Sequence, residues 1–134
     1  MIKTFLGSHS EHIFAILRIV AGLLFWFHGA QKFGMFGGLG GQGGAVTVMT
    51  LLWVAAVVEF VAGVAIAIGF WTRWMAFIAA GQMAVAYFLS HAPRGPWPLT
   101  NGGELAVLYC FLWLYVAARG PGLWSVDAIT DSRR

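Results

Sequence analysis

Hydrophobic residues run through this chain in four long, almost uninterrupted stretches, at about 13–33, 46–70, 74–91 and 103–118. Each is close to the roughly 20 apolar residues that an α-helix needs to cross a bilayer, although the last is short. The runs are continuous rather than alternating, which favours helices over the strands of a barrel. The pattern predicts a single all-α membrane domain, residues 1–134, folded as a four-helix bundle with antiparallel neighbouring helices.

The loops between these stretches predict how the domain is oriented. A glycine-rich loop (34–45) and a proline-rich loop (92–102) fall on one side, and both termini fall on the other. Basic residues collect on the cytoplasmic side of membrane proteins. The side of the termini carries five, whereas the loop side carries only Lys32 and Arg94, so we expect cytoplasmic termini and outward loops. The five are Lys3, Arg73, Arg119, Arg133 and Arg134.

The composition excludes the commoner alternatives to a membrane protein. Hydrophobic residues make up 60% of the chain and charged residues 10%, against about 25% charged residues in typical soluble domains. The net charge of +3 comes from scattered basic residues rather than from a basic patch, so we predict no nucleic-acid partner. The single cysteine, Cys110, forms neither a CxxC motif nor a zinc-ligand spacing. We therefore predict no metal site and assign no catalytic residue.

One acidic residue interrupts the second apolar stretch. Glu59 lies near the middle of LLWVAAVVEFVAGVAIAIGF (51–70), where an ionisable group costs about 3 kcal/mol or more and normally turns toward a partner inside the protein. Arg18 lies on the same face of the first helix as Gly22. We expect Glu59 to pair with Arg18, supported by Gln82 of the third helix. Such a pair either only fixes the helix register or forms a proton or substrate site.

A second polar group is predicted near the outward ends of the helices. It contains His28, Lys32, His91, Arg94 and Glu104. One interpretation is an interfacial set in which Lys32 pairs with Glu104. Another is a pocket for an amphipathic molecule such as a quinone head group. Two histidines without any further motif are weak evidence for axial haem ligands, and we do not predict haem.

The order of motifs along the chain resembles that of the DoxX family. The resemblance is carried by RIVAGLLFWFHGAQKFGMF (18–36), EFVAGVAIAIGFWTRWMA (59–76), GGELAVLY (102–109) and GPGLWSVD (120–127). It implies a small, multi-pass protein of the bacterial inner membrane. It also implies that six charged or titratable residues occupy family motif positions: Arg18, His28, Lys32, Glu59, Arg73 and Glu104.

The resemblance also suggests a function. Some DoxX-like proteins are the membrane subunit of a thiosulfate:quinone oxidoreductase, and others associate with soluble redox proteins in responses to oxidative or thiol stress. We therefore expect a subunit that binds quinone, or anchors a redox partner, in a sulfur or thiol redox system. Whether the chain is itself catalytic stays open, because it has neither a redox thiol pair nor a flavin motif.

Two alternatives remain beside that hypothesis. One is a transporter of small molecules or protons, which at this size would have to act as a homo-oligomer. The other is a structural membrane scaffold without chemistry of its own. The candidate partners are membrane lipids, a soluble redox protein and further copies of the chain.

Overall fold

Helices form the secondary structure of the described part of the chain, in which no strand occurs. The computed structural model describes residues 2–39 and 43–133. Residues 40–42 of the predicted outward loop, the side chain of Lys3 and all of Arg134 lie outside the described part. The α-helices are α1 (Ile2–Ser8), α2 (Ser10–Lys32), α3 (Leu51–Ile68), α4 (Thr72–Ala86), α5 (Pro98–Asn101), α6 (Glu104–Arg119) and α7 (Val126–Asp131).

Three of these helical segments are long and apolar enough to cross a membrane. They are Ser10–Lys32, Leu51–Ile68 and Thr72–Arg94, the last being α4 with its continuation. That continuation is a π-helical turn at Tyr87–His91 and a 3-10 turn at Ala92–Arg94. The all-α class is therefore confirmed. Helix α6 has 16 residues, fewer than these three, so the fourth membrane span stays a prediction.

The ends of α3 are fixed by local chemistry. Thr50 precedes the helix in an extended conformation, and its side chain accepts a hydrogen bond from the backbone N–H of Trp53. This is the usual role of threonine at a helix N-terminus. Gly69 ends the helix in the left-handed conformation, which glycine adopts without steric cost. The helix thus begins at Leu51, five residues after the start of the predicted 46–70 stretch.

Helices α2 and α3 pack backbone against backbone. A β-carbon added at Gly63 would lie 2.5 Å from the backbone nitrogen of Trp26, and one added at Gly29 would lie 2.5 Å from that of Phe60. A β-carbon added at Gly22 would lie 2.8 Å from the backbone nitrogen of Ala67. Small residues allow this approach, which gains dispersion and packing energy where lipid supplies no hydrophobic driving force. The glycines therefore set the distance between the two helices.

Substituting Gly63 with alanine should destabilise the protein by about 1–3 kcal/mol, the usual cost of overpacking. The added methyl group meets backbone atoms, which cannot move aside without separating α2 from α3. Gly81 on α4 is the matched control, because a β-carbon there would meet nothing within 4 Å. Thermal unfolding in detergent should show a lower midpoint for Gly63→Ala and no loss for Gly81→Ala. Equal midpoints would contradict the close packing.

Helix α6 packs against α4 and carries part of the core. The Trp113 ring contacts the rings of Phe25 and Tyr109, with centroids 5.4 Å and 5.7 Å away. After α6 the chain returns to the start of α4, where the Asp127 carboxylate accepts hydrogen bonds from the backbone N–H groups of Trp71 and Thr72. A carboxylate at a helix N-terminus is favourable because of the helix dipole. The C-terminal segment is thereby fastened to α4.

Candidate functional site

Glu59 is the most deeply buried acidic group in the described part of the chain. It lies half-way along α3, and its side chain is 3% exposed. Its neighbours one turn away, Ala56 and Ala62–Gly63, are small and buried. They leave the carboxylate within reach of longer side chains from other helices. The sequence-based expectation that Glu59 turns inward holds in the structure.

The ion-pair partner of Glu59 is Lys32. The Lys32 Nζ atom lies 2.5 Å from Glu59 Oε2. Lys32 is the last residue of α2, and its side chain is 15% exposed. Its four-carbon stem extends from the helix end toward the interior, so that the ammonium group meets the carboxylate. A buried charge that is paired in this way avoids most of the penalty of an isolated one.

Gln82 of α4 makes the second contact with the carboxylate, as expected. Its Nε2 atom donates to Glu59 Oε1 at 3.2 Å. Its own oxygen, Oε1, is buried and has no hydrogen-bond partner in the described part of the chain. Lys32, Glu59 and Gln82, from α2, α3 and α4, are called the central polar cluster below. One acceptor of this cluster thus remains unused.

An aromatic group borders the central polar cluster. His28 and Tyr109 lie close enough to Glu59 for its charge to act on both, and their rings meet edge to face at 6.1 Å. Tyr109 in turn stacks on Trp113, which is 0% exposed and whose indole N–H has no partner in the described chain. Four helices therefore contribute to one buried region that combines charges, aromatic rings and unused hydrogen-bonding atoms.

The predicted Arg18–Glu59 pair is wrong. The Arg18 guanidinium is fully buried but donates to backbone carbonyls: Nη1 to Ile66 and Ala67 at 2.9 and 3.0 Å, and Nη2 to Leu123 and Trp124 at 2.9 and 2.8 Å. Ile66 lies seven residues beyond Glu59, or ~10 Å along the helix. Arg18 is therefore level with the C-terminal end of α3, where a cation also suits the helix dipole.

The five residues predicted to form one outward pocket have different contacts in the structure. His28 and Lys32 belong with the central polar cluster. His91 lies near the backbone oxygen of Asn101, 3.3 Å from its Nδ1, and its ring stacks with that of Tyr87. A single pocket lined by all five residues stays a prediction.

The predicted Lys32–Glu104 pair is also wrong, because Lys32 is engaged with Glu59. The described residues contain two ion pairs, Lys32–Glu59 and Arg119–Glu11, and Glu104 is in neither. Glu104 begins α6 and lines a shallow open groove with Leu105 and Leu108. Arg94 is exposed at the end of the 3-10 turn.

Comparison with known proteins decides the family. Residues 13–92 match the DoxX family. The chain belongs to the DoxX family. It is also 41% identical over 125 residues to a protein of Haemophilus influenzae described as an uncharacterized protein, a match that covers 91% of this chain and 93% of the relative. No solved structure matches the chain.

Five of the six positions predicted from the DoxX resemblance separate into two structural groups, and Glu104 is in neither. Arg18 and Arg73 both donate to carbonyls at helix ends: Arg73 Nη1 contacts the oxygens of Ala117 and Ala118 at 2.9 and 2.5 Å. His28, Lys32 and Glu59 instead gather around the buried carboxylate. In this DoxX protein, therefore, the arginines hold helix ends together, and the buried ion pair belongs to the other group.

Sequence reasoning missed two polar residues that satisfy backbone groups, Asn101 and Asp127. Asn101 is buried; its side chain donates to Tyr87 Oη and the Gly95 oxygen and accepts from the Gly103 N–H. Asp127 was not singled out either, although it stands in the GPGLWSVD motif. Both residues stand in short motifs beside prolines or glycines. Loops of this kind often need polar side chains to form hydrogen bonds with their backbone groups, and this could have identified the two residues.

Proposed function

We propose that the protein is a multi-pass DoxX protein of the bacterial inner membrane. Its four-helix bundle would consist of α2, α3, α4 with its continuation to Arg94, and α6. Antiparallel packing of α2 and α3 is supported by their contacts, which run in opposite directions: Gly22 meets Ala67, and Gly29 meets Phe60. Helix α6, ~24 Å long at the α-helical rise, is the fourth span; a bilayer can accommodate a short span by thinning.

The proposed orientation places both termini in the cytoplasm. Arg73 and Arg119 lie at the end of the bundle where α2 starts, because Arg119 pairs with Glu11 and Arg73 contacts the end of α6. Lys32 and Arg94 lie at the opposite end, and Lys32 has its charge turned inward to Glu59. This distribution of basic residues favours a cytoplasmic location for the terminal end.

The function that the geometry supports best is quinone binding, and the DoxX resemblance implies that it would serve a sulfur or thiol redox system. The observation that carries this proposal is the central polar cluster beside the aromatic rings of Tyr109 and Trp113. A quinone head group needs hydrogen-bond donors for its carbonyl oxygens and a flat apolar wall for its ring. The unused indole N–H of Trp113 is such a donor, and the unused Oε1 of Gln82 would accept from a quinol hydroxyl.

The protein would act as a subunit rather than as a self-contained oxidoreductase. Its single cysteine, Cys110, cannot form an intramolecular disulfide. We propose that a soluble redox partner delivers electrons from a sulfur or thiol donor. In this proposal that partner docks on the membrane subunit, which holds the quinone that accepts the electrons.

Titration of the purified protein with a short-chain ubiquinone analogue should give saturable quenching of tryptophan fluorescence. Trp113 is the reporter, since it lies beside the proposed site and is fully buried. Trp113→Phe should remove the saturable part, whereas Trp124→Phe should retain it, because Trp124 is 59% exposed at the other end of the bundle. Quenching that rises linearly and equally in all three proteins would refute the proposed site.

A further inference from the structure

Lys32 connects the buried Glu59 with one end of the bundle. Its backbone stands at the C-terminus of α2, where its carbonyl accepts a hydrogen bond from the Val46 N–H of the following loop. Its side chain is partly exposed and its Nζ atom contacts the carboxylate. A single side chain therefore spans the distance from the loop end of the bundle to the buried acid.

The path from Glu59 toward the other end of the bundle is closed by apolar side chains. This apolar layer consists of Phe25, Ala62, Ile66, Ala76 and Ala79, each of which is at most 2% exposed. Beyond it lies Arg18, whose terminal nitrogens are occupied by four backbone carbonyls rather than by Glu59. None of the side chains in the apolar layer is titratable, so the layer offers a proton no carrier in that direction.

The groups that face Glu59 agree with this asymmetry. On α2 they are Lys32 and His28, and on α6 the titratable group is Tyr109. Helix α4 contributes the neutral amide of Gln82, while its Arg73 is held at the end of α6. Of these groups, Lys32 has both direct contact with the carboxylate and exposure at an end of the bundle.

We infer that Glu59 exchanges protons with one membrane face only, the face at which α2 ends, and that Lys32 is the relay. In the transfer, Lys32 Nζ gives a proton to Glu59 Oε2, and the neutral amine then takes a proton from water at the loop end. The reverse sequence releases a proton to the same face, and no electron is moved. The inference does not require quinone. If the proposed function also holds, protons released by a quinol leave on this face.

Sided pH jumps on proteoliposomes test the inference without quinone. A C-terminal affinity tag separates vesicles that expose the C-terminus from those that expose the opposite end, since segment 120–127 lies beside the start of α2. Protonation of Glu59 is followed by its infrared carboxyl band, identified by its loss in Glu59→Gln. When the pH changes on the side of the loop end, we expect the Glu59 band to respond immediately. When the pH changes on the side of the C-terminus, the band should respond only as fast as protons leak across the membrane. Equal responses from both sides, or none from either, would overturn the inference.

Substitution of Lys32 tests the relay itself. Lys32→Met should slow the exchange from the loop end by about tenfold or more, a modest share of the 10²–10⁴ that a positioned proton-transfer group typically contributes. Arg94 is a cation at the same end of the bundle, and it forms no ion pair in the described chain. Arg94→Met should therefore leave the rate of proton exchange unchanged. Exchange as fast in Lys32→Met as in the unmodified protein would refute the role of Lys32. Because these assays contain no quinone, their outcome is independent of the fluorescence titration.

Discussion

Replacing Arg18 with methionine should destabilise the folded protein by about 3–5 kcal/mol, as expected when one member of a buried charged network is removed. The guanidinium donates to four carbonyls from two separate segments, the end of α3 and residues 123–124. Hydrogen bonds from a charged donor contribute about 1.5–3 kcal/mol each, offset by the cost of burying the cation. Unfolding of the detergent-solubilised protein by heat or by SDS would measure the loss.

Two further variants separate this role from a simple loss of positive charge. Arg18→Lys keeps the positive charge, but a single ammonium nitrogen replaces the two guanidinium nitrogens, each of which contacts one of the two segments. We therefore expect Arg18→Lys to be nearly as unstable as Arg18→Met. Arg73→Met removes the same kind of carbonyl contact at an exposed position and should cost less. If Arg18→Lys were as stable as the unmodified protein, charge alone would explain Arg18 and the bridging role would be refuted.

The apolar pattern predicted where the helices lie but not how deep each polar side chain is in the bundle. Arg18 and Glu59 were both correctly placed on inward faces, because helical periodicity determines direction around an axis. Their relative depth depends on where α3 ends and on how α2 is shifted against it. Backbone contacts at Gly22, Gly29 and Gly63 determine that shift, and nothing in a single sequence shows which glycines meet.

The second error, in the pairing of Lys32, has a different cause. Lys32 is the last residue of α2 and was expected to lie in the outward interface, as cations near helix ends usually do. The structure turns its long stem inward to Glu59. A flexible side chain at a helix end has both options, and only the position of the acid decides between them. The contact of Gln82 with Glu59 was predictable, because Gln82 is the one strongly polar residue within the apolar part of α4.

The two groups of polar residues have separate tasks in this arrangement. At the end where α2 starts, Arg18, Arg73 and Asp127 satisfy backbone groups at helix ends and fasten the C-terminal segment. In the centre, Lys32 and Glu59 satisfy each other, and Gln82 Oε1 has no partner among the residues that the structure describes. The first group completes the hydrogen bonding that the backbone needs in lipid. The second is not required for any backbone bond, which favours a role in function.

A double-substitution cycle on Lys32 and Glu59 should distinguish that role from architecture. Lys32→Met should destabilise the protein by about 3–5 kcal/mol, because it leaves the buried carboxylate without its counter-charge. Glu59→Leu should also destabilise the protein, because it leaves the Lys32 ammonium group unpaired. The loss should be smaller to the extent that the Lys32 side chain can move its ammonium group into water. The double variant Lys32→Met/Glu59→Leu should recover most of the loss, since apolar replacements of a buried pair are often neutral or stabilising.

The value of the double variant lies in its being stable without the pair. If it unfolds like the unmodified protein yet no longer shows saturable quinone quenching, the pair contributes to ligand binding beyond holding the helices in register. If it is stable and still binds quinone, the pair is architectural and the site must lie elsewhere. If the double variant does not recover stability, other groups must be coupled to the pair, with Gln82 and His28 as the first candidates. The central polar cluster would then act as one unit.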